Sequence, residues 1–382
     1  MIRILLSTII FLSFSFQAWS QSLSDIGFGT DSTLDVVTWN IEWFPKNESI
    51  TPDSVATIIN ALDADIIGIQ EIDDTTLFRN TINKLSNYEL VIAPGYFGGL
   101  VYVYNTRTVN VQSIQTILNT EDHWNALPRS PLTMEFTFKG EEYVVINNHY
   151  KCCGDGSLNR GNSSDQEARR LEANRLIKKH IDENLNDSRV ILLGDLNDIL
   201  TDNTKDNVFQ LFLADASNYL FVDEEIAKGP LENWSYPGWP SHLDHICISN
   251  ELFAEFKEVG SSIETIKVED YLSGGWSTYD RYISDHRPLG MKLKVNDKSV
   301  SVKNFEISEI TLYPNPTKGH ISIDLAKKYN GLNIQLFDCT GRLLQEENHS
   351  QLSPIQTSIP GPPGVYLIKI GPNRYFQKVI KN

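Results

Sequence analysis

The 382-residue sequence predicts a layered α/β sandwich, with helices outside its β-sheets, followed by a small all-β sandwich. Two observations lead to this prediction. From Asp35 to about Val295, strand-like and helix-like segments alternate, and the strand-like segments are apolar enough to be buried on both faces. From Phe305 to Asn382, short strand-like segments are separated by turns rich in Gly, Pro and Asn. The polar stretch 296–304 has no hydrophobic period and is predicted to be a linker.

The elements of the first domain follow from local patterns. Thr51 is predicted to cap a helix with Pro52 in its first turn, because the apolar residues that follow recur at helical spacing. A second helix, at about 164–182, concentrates cations, which we interpret as a solvated face, with Leu171, Leu176 and Ile177 facing the sheet. Strands are predicted at Asp35–Ile41, Asp65–Gln70, Tyr143–Asn147, Val190–Leu193, Ile321–Leu325, Ile334–Phe337 and Val365–Ile370.

The composition excludes several protein classes. Hydrophobic residues make up 41% and charged residues 21% of the sequence, so disordered, collagen-like and coiled-coil chains are excluded. The chain has 33 Lys+Arg and 49 Asp+Glu, a formal net charge of -16. Such a surface repels polyphosphates and disfavours a broad electrostatic nucleic-acid binder. It does not exclude a phosphoryl enzyme with a bound metal ion, because the ion reverses the sign of the local charge.

Residues 1–20 are predicted to be a cleaved secretory signal peptide. Arg3 precedes an apolar run, and Ala18 and Ser20 stand at the two positions that a signal peptidase reads. The run from Ile4 to Phe16 is shorter than the ~20 residues that a membrane-spanning helix needs. No later stretch is long and apolar enough, so we expect an exported protein without a transmembrane segment.

The 4 cysteines are too few for a disulfide scaffold in a chain of this length. Cys152 and Cys153 are adjacent, and a bond between them would strain the intervening peptide, whereas a bond to a distant partner fits equally well. Their spacing is not that of a zinc site. The role and pairing of these two residues stay open at the level of sequence.

Polar residues accumulate where the predicted apolar strands end. They are Asn40, Glu42, Glu71, Asn148, His149, Asp195, Asn197, His242, Asp244, His245, Asp285 and His286. In α/β sandwiches the loops at one edge of the strands are where sites are built, so four of the acids (Glu71, Asp195, Asp244 and Asp285), two amides and two histidines are expected to converge there. Oxygen-rich ligation with few nitrogens and no thiolate favours Mg²⁺, Mn²⁺ or Ca²⁺ over zinc.

The order of these motifs resembles a known superfamily. The motifs are Trp39-Asn40-Ile41-Glu42, Gln70-Glu71, Asn148-His149, Gly194-Asp195-Leu196-Asn197, His242-Leu243-Asp244-His245 and Ser284-Asp285-His286-Arg287-Pro288. As a set they resemble the endonuclease/exonuclease/phosphatase superfamily, which includes deoxyribonuclease I, abasic-site endonucleases, neutral sphingomyelinases and inositol polyphosphate 5-phosphatases. The resemblance covers residues 35–295. It implies a four-layer α/β sandwich, two β-sheets flanked by helices, and a divalent-metal-dependent phosphodiester hydrolase.

The resemblance also implies a metal site. Glu71 matches the principal metal ligand of the family, and Asn40 and Asp285 match residues that assist it. Glu42 stands where an Asp is common, and we include it among the predicted ligands. Mg²⁺ is the expected ion, with Mn²⁺ or Ca²⁺ as alternatives.

The remaining motif residues match catalytic positions of the family. Asp195 and Asn197 are expected to position the nucleophile and the scissile phosphate. His149 and His286 are expected to donate hydrogen bonds to the phosphate or to move protons, with Asp244 orienting His286.

Outside these motifs, Arg129, in the segment Arg129-Ser130-Pro131, resembles a phosphate-contacting Arg of the deoxyribonuclease I branch. It completes the set of predicted site residues.

The C-terminal part, 305–382, resembles the C-terminal sorting domain of the type IX secretion system. The resemblance rests on Leu312-Tyr313-Pro314-Asn315-Pro316-Thr317, Phe337-Asp338-Cys339-Thr340-Gly341-Arg342 and Pro363-Gly364-Val365-Tyr366-Leu367. It implies export through the periplasm and across the outer membrane to the cell surface or the medium, with the secretion machinery as a partner. The alternative is a binding module of the same β-sandwich type. Whether the domain is removed after export stays open.

The first hypothesis for the substrate is nucleic acid: a secreted, monomeric endonuclease that hydrolyses DNA or RNA. The second is a sphingomyelinase-like lipid phosphodiesterase or a phosphatase, which would need an exposed apolar hairpin to enter a bilayer. Aromatic residues in 234–239 and 276–279 are able to stack on bases, to enter lipid or to pack the loops together. A non-enzymatic adhesin predicts lost ligands, whereas all the acids and histidines are present. DNA, RNA or phospholipid, and endo or exo cleavage, stay open.

Overall fold

The structure, a computed structural model, describes residues 21–94, 99–295, 310–325, 332–349, 354–370 and 375–382. The chain divides after Asp297 into two compact units. The predicted signal peptide (1–20) and linker (296–304) lie outside the described residues.

The first unit alternates strands and helices. Its strands are β1 (Thr33–Phe44), β2 (Ile66–Ile72), β3 (Tyr88–Ile92), β4 (Val101–Asn105), β5 (Val109–Thr116), β6 (Leu132–Phe138), β7 (Glu141–His149), β8 (Val190–Asp195), β9 (Tyr219–Phe221), β10 (Asp244–Ser249), β11 (Ser262–Thr265) and β12 (Leu289–Lys294). Its α-helices are α1 (Thr51–Leu62), α2 (Thr75–Ile82), α3 (Gln166–Asn184), α4 (Gln210–Leu213), α5 (Glu224–Ala227), α6 (Phe253–Phe256) and α7 (Gly275–Tyr282).

These strands form two six-stranded mixed sheets. The first sheet has the order β11-β12-β1-β2-β4-β3, and the second has the order β5-β6-β7-β8-β10-β9. Each sheet contains one parallel pair, β1 with β2 and β7 with β8. The helices α1 and α3 lie in the two crossover connections, as parallel pairing requires.

Three hydrophobic clusters separate four layers. The middle cluster lies between the sheets and takes Val36 from the first and Val145 from the second. A second cluster packs α1, α2 and α7 on the outer face of the first sheet, where Val37 points because successive strand residues face opposite sides. A third cluster packs α3 on the outer face of the second sheet. The predicted four-layer α/β sandwich is confirmed.

The helices follow their apolar patterns, with two local differences. The prediction that Thr51 caps α1 is wrong, because Ile50 occupies the N-cap position. Thr51 Oγ1 instead accepts a hydrogen bond from the Asn47 N–H at 2.7 Å and donates to the Tyr282 carbonyl at 2.6 Å. In α3, Leu176 and Ile177 are buried as expected, but Arg170 is buried as well and is not part of a solvated face.

A buried polar group, which we call the cross-sheet clamp (Thr38, Gln70 and Asn147), joins the two sheets. Gln70 Nε2 donates to Asn147 Oδ1 at 2.7 Å and to Thr38 Oγ1 at 3.1 Å. Asn147 Nδ2 donates to the carbonyls of Ile69 and Val101, each at 3.1 Å. Because buried amides must be paired, this arrangement fixes how the first sheet sits on the second directly below the strand ends.

The second unit is all-β among its described residues. Its strands are β13 (Ile310–Tyr313), β14 (His320–Leu325), β15 (Leu332–Asp338), β16 (Leu343–His349), β17 (Ile355–Ser358), β18 (Gly364–Ile370) and β19 (Tyr375–Lys381). They pair in a three-stranded sheet, β13-β14-β17, and a four-stranded sheet, β16-β15-β18-β19. Both sheets contribute to one hydrophobic cluster, Ile323 from the first and Ile368 from the second. The predicted small all-β sandwich is confirmed.

Across the described part of both units, no helix has the length and apolar character needed to cross a membrane.

Candidate functional site

The strand ends bring most predicted site residues to one edge of the sandwich. Asn40 and Glu71 lie towards the carboxyl ends of the parallel strands β1 and β2, and His149 and Asp195 end the parallel strands β7 and β8. Asp244 begins the antiparallel strand β10 directly opposite Asp195. Because an antiparallel strand starts where its neighbour ends, all five side chains meet at this edge.

The centre of the site is a cluster of two acids, an amide and an imidazole. Asn40 Nδ2 donates to Glu71 Oε1 at 3.1 Å and to Asp195 Oδ2 at 3.0 Å. His149 Nε2 lies 3.5 Å from each of the same two oxygens. Asn40 therefore fixes the spacing between an acid of the first sheet and an acid of the second.

The chain around Glu71 has an unusual backbone. Glu42, Trp43 and Glu71 have positive φ angles of 38°, 50° and 65°. The Glu42 N–H donates to Asn40 Oδ1 at 2.9 Å, and the Trp43 N–H donates to Glu71 Oε2 at 3.2 Å. Left-handed backbone is costly for side chains of this size and is typical of functional sites.

Glu42 and Asp285 are neighbours at the rim of this cluster. The Asp285 N–H donates to Glu42 Oε2 at 2.8 Å, and Lys46 forms an ion pair with the same carboxylate. Burial raises the pKa of Glu42 to about 7, and the charge of Asp285 adds to this rise while Lys46 opposes it. The predicted ligand Glu42 is thus held by backbone and Lys46 contacts on the first-sheet side.

His286 and Asp244 form a buried pair that crosses from one sheet to the other. His286 Nδ1 lies 2.7 Å from Asp244 Oδ2, and His286 Nε2 lies 3.8 Å from Asp195 Oδ2. The His286 N–H donates to Ser284 Oγ at 2.9 Å, and the Tyr279 hydroxyl donates to the His286 carbonyl at 2.6 Å. The ring is therefore oriented with Nε2 towards the central acids.

The two histidines of the site have opposite electrostatics. Burial, together with the charges of Arg129 and His286, lowers the pKa of His149 well below its usual range. Burial also disfavours a charge on His286, but the carboxylates of Asp244 and Asp195 override it and raise the pKa of His286 to about 10. At neutral pH the site therefore holds one neutral imidazole and one imidazolium.

The central acids fit a divalent cation. Ligand atoms of Glu71, His149 and Asp195 all lie within 4.8 Å of one another. Burial raises the pKa of Asp195 to about 7, with Asp244 and Glu71 adding to the rise against the opposing charge of His286. Carboxylates this close to one another repel, and a donor set of mostly oxygen atoms suits a hard cation. The predicted ligands Glu71, Asn40, Glu42 and Asp285 surround this region, and their roles stay predictions.

Arg129 and Asn197 lie beside the cluster. Arg129 Nη2 and Asn197 Nδ2 donate to the same carbonyl, that of Tyr150, each at 3.4 Å. Arg129 Nε is buried and has no hydrogen-bond partner among the described residues. The Asn197 N–H donates to Asp195 Oδ1 at 3.1 Å. The structure thus brings all ten predicted site residues to one region.

A cleft of about 450 Å³ opens over this region. Glu71, Asp195 and His286 line it, as predicted. Residues outside the predicted catalytic and metal-binding sets also line it: Trp43, Cys152, Cys153, Arg170, Asp198, Asp202, and, from the aromatic segment 234–239, Tyr236 and Trp239. The thiols of Cys152 and Cys153 are free and lie 3.0 Å apart.

Buried Arg170 supports the cleft wall that carries these thiols. Arg170 Nη1 donates to the carbonyls of Lys151 at 2.8 Å and Cys153 at 2.6 Å. Arg170 Nε donates to Asp198 Oδ2 at 2.8 Å, and Nη2 lies 3.2 Å from Glu167 Oε1. One guanidinium therefore joins α3, the loop after β7 and the loop after β8. No sequence signal indicates this role, because Arg170 is one of several cations in α3.

Two histidines of the His242-x-Asp244-His245 motif are not at the cleft. His242 Nε2 and His245 Nδ1 face Asp223 Oδ2 at 3.1 and 2.6 Å, and His245 Nε2 faces the Asp198 carbonyl at 2.9 Å. Burial opposes a charge on His245, but Asp223 raises its pKa. Asp244 and His245 are consecutive strand residues, so alternation already predicts that they face opposite sides.

The aromatic segments divide into packing residues and exposed ones. Trp234 Nε1 donates to the Ile226 carbonyl at 3.1 Å, and the Trp276 and Tyr279 rings contact each other at 5.5 Å, so these residues pack loops. The Tyr236 ring lies 4.8 Å from the His286 ring. Trp239, by contrast, is 79% exposed.

Comparisons with known proteins agree with this architecture. A family model described as the Endonuclease/Exonuclease/phosphatase family matches residues 37–286. A second model, described as a Secretion system C-terminal sorting domain, matches residues 311–382. The comparison with curated protein sequences gives no match.

Solved structures are similar in fold. D. rerio TDP2 complexed with single strand DNA product has a TM-score of 0.53 at 17% identity, over 69% of this chain and 100% of that one. Humanized D. rerio TDP2 has a TM-score of 0.51 at 16% identity over the same shares, 69% and 100%. The endonuclease/exonuclease/phosphatase from Bacteroides vulgatus has a TM-score of 0.49 at 15% identity, over 70% and 100%.

Proposed function

The chain belongs to the endonuclease/exonuclease/phosphatase family, and from this premise we propose that it is a secreted, divalent-metal-dependent phosphodiester hydrolase, an endonuclease acting on DNA or RNA. The observation that supports the chemistry is the His286–Asp244 pair aimed at the acids around Asn40. The family description, which names endonucleases and exonucleases, supports the nucleic-acid substrate.

The second unit gives the destination of the enzyme. Residues 311–382 are a secretion-system sorting domain of the type IX kind, so the protein is exported across the outer membrane and interacts with the secretion machinery. The monomeric state is part of our proposal.

In the proposed mechanism His286 acts as the cationic donor. Its Nδ1–H is held by Asp244, so the proton on Nε2 is free to face a non-bridging oxygen of the phosphate, where negative charge grows during attack. Asp195 Oδ2, which lies between His149 and His286, accepts the proton of the attacking water. Neutral His149 and Asn197 position the water and the phosphate.

Glu71, with Asn40, Asp285 and Glu42, would hold the divalent cation, for which we propose Mg²⁺. When bound, the cation supplies charge stabilisation to the phosphate and leaving oxygens. Arg129 adds a fixed positive charge close to Asp195 and Glu71. The phosphate thus meets cationic groups in a protein that is acidic overall.

One observation favours a second candidate function, hydrolysis of a phospholipid or another phosphate ester. Trp239 lies at the tip of a short hairpin, closed by backbone hydrogen bonds between Tyr236 and Ser241, and is exposed. An exposed aromatic tip is a feature of proteins that bind membrane interfaces.

The test incubates the full-length protein with plasmid DNA, RNA and sphingomyelin vesicles, each with Mg²⁺, Ca²⁺ or EDTA. We expect nicking of the circular plasmid or cleavage of the RNA, and no reaction in EDTA. Asp195→Ala is expected to abolish the activity, whereas His320→Ala, an exposed His of the second unit, leaves it unchanged. Release of phosphocholine alone identifies the second candidate. Full activity in EDTA contradicts metal dependence.

A further inference from the structure

Two exposed tryptophans line the cleft from different sheets. Trp43 lies near the end of strand β1 of the first sheet, and Trp239 lies in the hairpin before β10 of the second. Their side chains are 67% and 79% exposed, and both line the cleft over the acids. Neither belongs to a hydrophobic core cluster of the described residues. Their packing therefore does not explain why large aromatic side chains stand there.

The backbone holds Trp43 beside the predicted metal ligand. Its φ angle is 50°, next to Glu42 at 38°, and its N–H donates to Glu71 Oε2 at 3.2 Å. Glycine adopts such angles without steric cost, and tryptophan does not. Backbone strain of this kind at a site supports a functional role for the residue that bears it.

The hairpin of Trp239 is anchored to the reacting groups. Ser235, at its base, accepts hydrogen bonds on Oγ from the Leu243 and Asp244 N–H groups, each at 3.2 Å. The Ser235 carbonyl accepts from the Arg287 N–H at 2.7 Å. The hairpin is thus fixed to the residue that holds His286 and to the residue that follows it, so Trp239 is placed before a ligand arrives.

We propose that Trp43 and Trp239 form an aromatic rim on which bases next to the scissile phosphate of a single-stranded nucleic acid stack. This inference rests on the proposed function. It specifies that the substrate is single-stranded, and it names the two residues that recognise the unpaired bases.

Charge favours stacking as the source of affinity. Among the charged residues that line the cleft, Glu42, Glu71, Glu167, Asp195, Asp198, Asp202 and Asp285 are acids, against Arg170 and His286. With a net charge of -16, the protein gains little from phosphate attraction outside the metal site. Base–aromatic stacking is insensitive to this charge, and it requires bases whose faces are not already covered in a duplex.

The same charges argue against lipid as the occupant. Inserting Trp43 into a bilayer would take the neighbouring carboxylates of Glu42 and Glu71 out of water, and desolvating charged groups is costly. A base, in contrast, covers the indole face and leaves the acids in contact with solvent and cation.

The experiment compares two labelled strands of equal length, oligothymidylate and an abasic strand of tetrahydrofuran units, by fluorescence anisotropy with the full-length protein in EDTA. Wild type is expected to bind oligothymidylate more tightly. Trp43→Ala and Trp239→Ala should each weaken that binding about tenfold, since stacking contributes on the order of one factor of ten or more per base. Binding of the abasic strand stays unchanged.

Controls separate stacking from general disruption. Trp124→Ala removes a third exposed tryptophan, 58% exposed and outside the cleft, and should change neither affinity. Trp43→Phe and Trp239→Phe keep a ring and should retain most of the oligothymidylate binding. Equal wild-type affinity for both strands, or an equal loss for both strands in the alanine variants, overturns the rim.

A turnover arm with Mg²⁺ distinguishes this inference from the proposed function. If neither strand, nor plasmid or RNA, is hydrolysed while the tryptophan-dependent preference for bases persists, the nuclease proposal fails and the base-stacking rim stands. If strands are hydrolysed but bases give no advantage, the nuclease stands and the rim is overturned. A blue shift of tryptophan emission with sphingomyelin vesicles that both alanine variants lose, without any preference for bases, assigns the rim to lipid and overturns it.

Discussion

Each sheet of the first unit sets a parallel strand pair beside an antiparallel strand: β1, β2 and β12 in the first sheet, and β7, β8 and β10 in the second. In both, a helix lies in the crossover, and polar residues stand where the parallel strands end. The same local arrangement occurs once in each sheet, and the strand ends of the two sheets together form one site.

The two sheets differ in what they contribute. Around the first, Glu42, Trp43 and Glu71 have left-handed backbone and remain partly open to solvent. In the second, the side chains of Asp195 and Asp244 are buried at strand ends, and the left-handed residue Asn197 follows in the loop after β8. In our proposal, the first sheet provides an open rim for a cation and a substrate, and the second provides the enclosed charges that act on the phosphate.

Two contacts join these contributions. Asn40 of the first sheet bonds to Asp195 of the second, and Asp244 of the second bonds to His286, which precedes a strand of the first. Asp195 is therefore oriented by a residue of the first sheet, and His286 by a residue of the second.

The largest expected effect comes from breaking the second of these contacts. His286→Ala should lower kcat by ~10²–10³-fold, because it removes the donor for the phosphate. Asp244→Asn should lower kcat less, and the double variant should be no slower than His286→Ala, since Asp244 acts through His286. Steady-state kinetics measures this, with near-ultraviolet circular dichroism as the check on folding. Additive losses would contradict a coupled pair.

The next effect concerns the buried charges behind the second sheet. Asp223→Asn should reduce the free energy of unfolding by about 3–5 kcal/mol, because it leaves the His245 imidazolium buried without its partner. Asp53→Asn, in an exposed pair with Lys84, should change it by less than about 1 kcal/mol. Urea denaturation measures both. A small loss for Asp223→Asn would show that the pair contributes little.

The same pair gives a pH dependence. Because Asp223 raises the pKa of His245, the stability gained from the pair is complete below the unfolded pKa of about 6.5 and is lost as pH rises through the folded pKa. The stability difference between wild type and Asp223→Asn should therefore shrink from pH 6 towards alkaline pH. A constant difference would mean that His245 does not titrate in this pH range.

Breaking the cross-sheet clamp, which contacts both sheets, should give a smaller loss of stability. Asn147→Leu should destabilise the protein by about 2–3 kcal/mol, because the Gln70 amide and two strand carbonyls lose their partner. Thr133→Val is the matched control, since its buried hydroxyl has no partner among the described residues and its loss should be nearly neutral. Thermal unfolding compares the two, and equal shifts would contradict the clamp.

The smallest effect tests the backbone of the first sheet. Trp43→Gly should raise the free energy of unfolding by about 1 kcal/mol, because glycine tolerates the left-handed angle and an exposed indole is removed. Asp63→Gly, at the left-handed C-cap of α1, should give a similar gain. Only Trp43→Gly should reduce turnover of single-stranded nucleic acid. Loss of stability in Trp43→Gly would show that the indole has a packing role.

Much of the fold and of the site location follows from sequence. A short apolar run such as 190–193 predicts a strand that is buried on both faces. A residue that follows such a run lies at the end of the strand, so the position of Asp195 at the sheet edge was predictable. Local sequence patterns do not show which residues from distant segments contact each other in the fold. Arg170 has the same helical neighbours as its solvated counterparts and is buried only because Asp198 and the loop after β7 meet it.

Other features depend on partners without any motif. Asp223, which pairs with His242 and His245, lies directly before α5. No sequence motif around it indicates that it faces these two histidines. The exposure of Trp43 follows from two left-handed residues, whereas its neighbours Trp39 and Phe44 are buried as strand residues usually are. An aromatic residue in a strand predicts burial, and here the left-handed backbone reverses that outcome.

The pairing of β1 with β12 has a consequence for the timing of activity. These strands come from the beginning and the end of the first unit, and the site needs both Asn40 and His286, whose positions differ by 286 − 40 = 246 residues. A ribosome adding roughly 5–20 residues per second takes tens of seconds or less to cover that interval. Throughout it, the emerging chain has neither the His286 imidazole nor the strand that positions it. In the proposed mechanism, hydrolytic competence therefore arrives only when the first unit is complete.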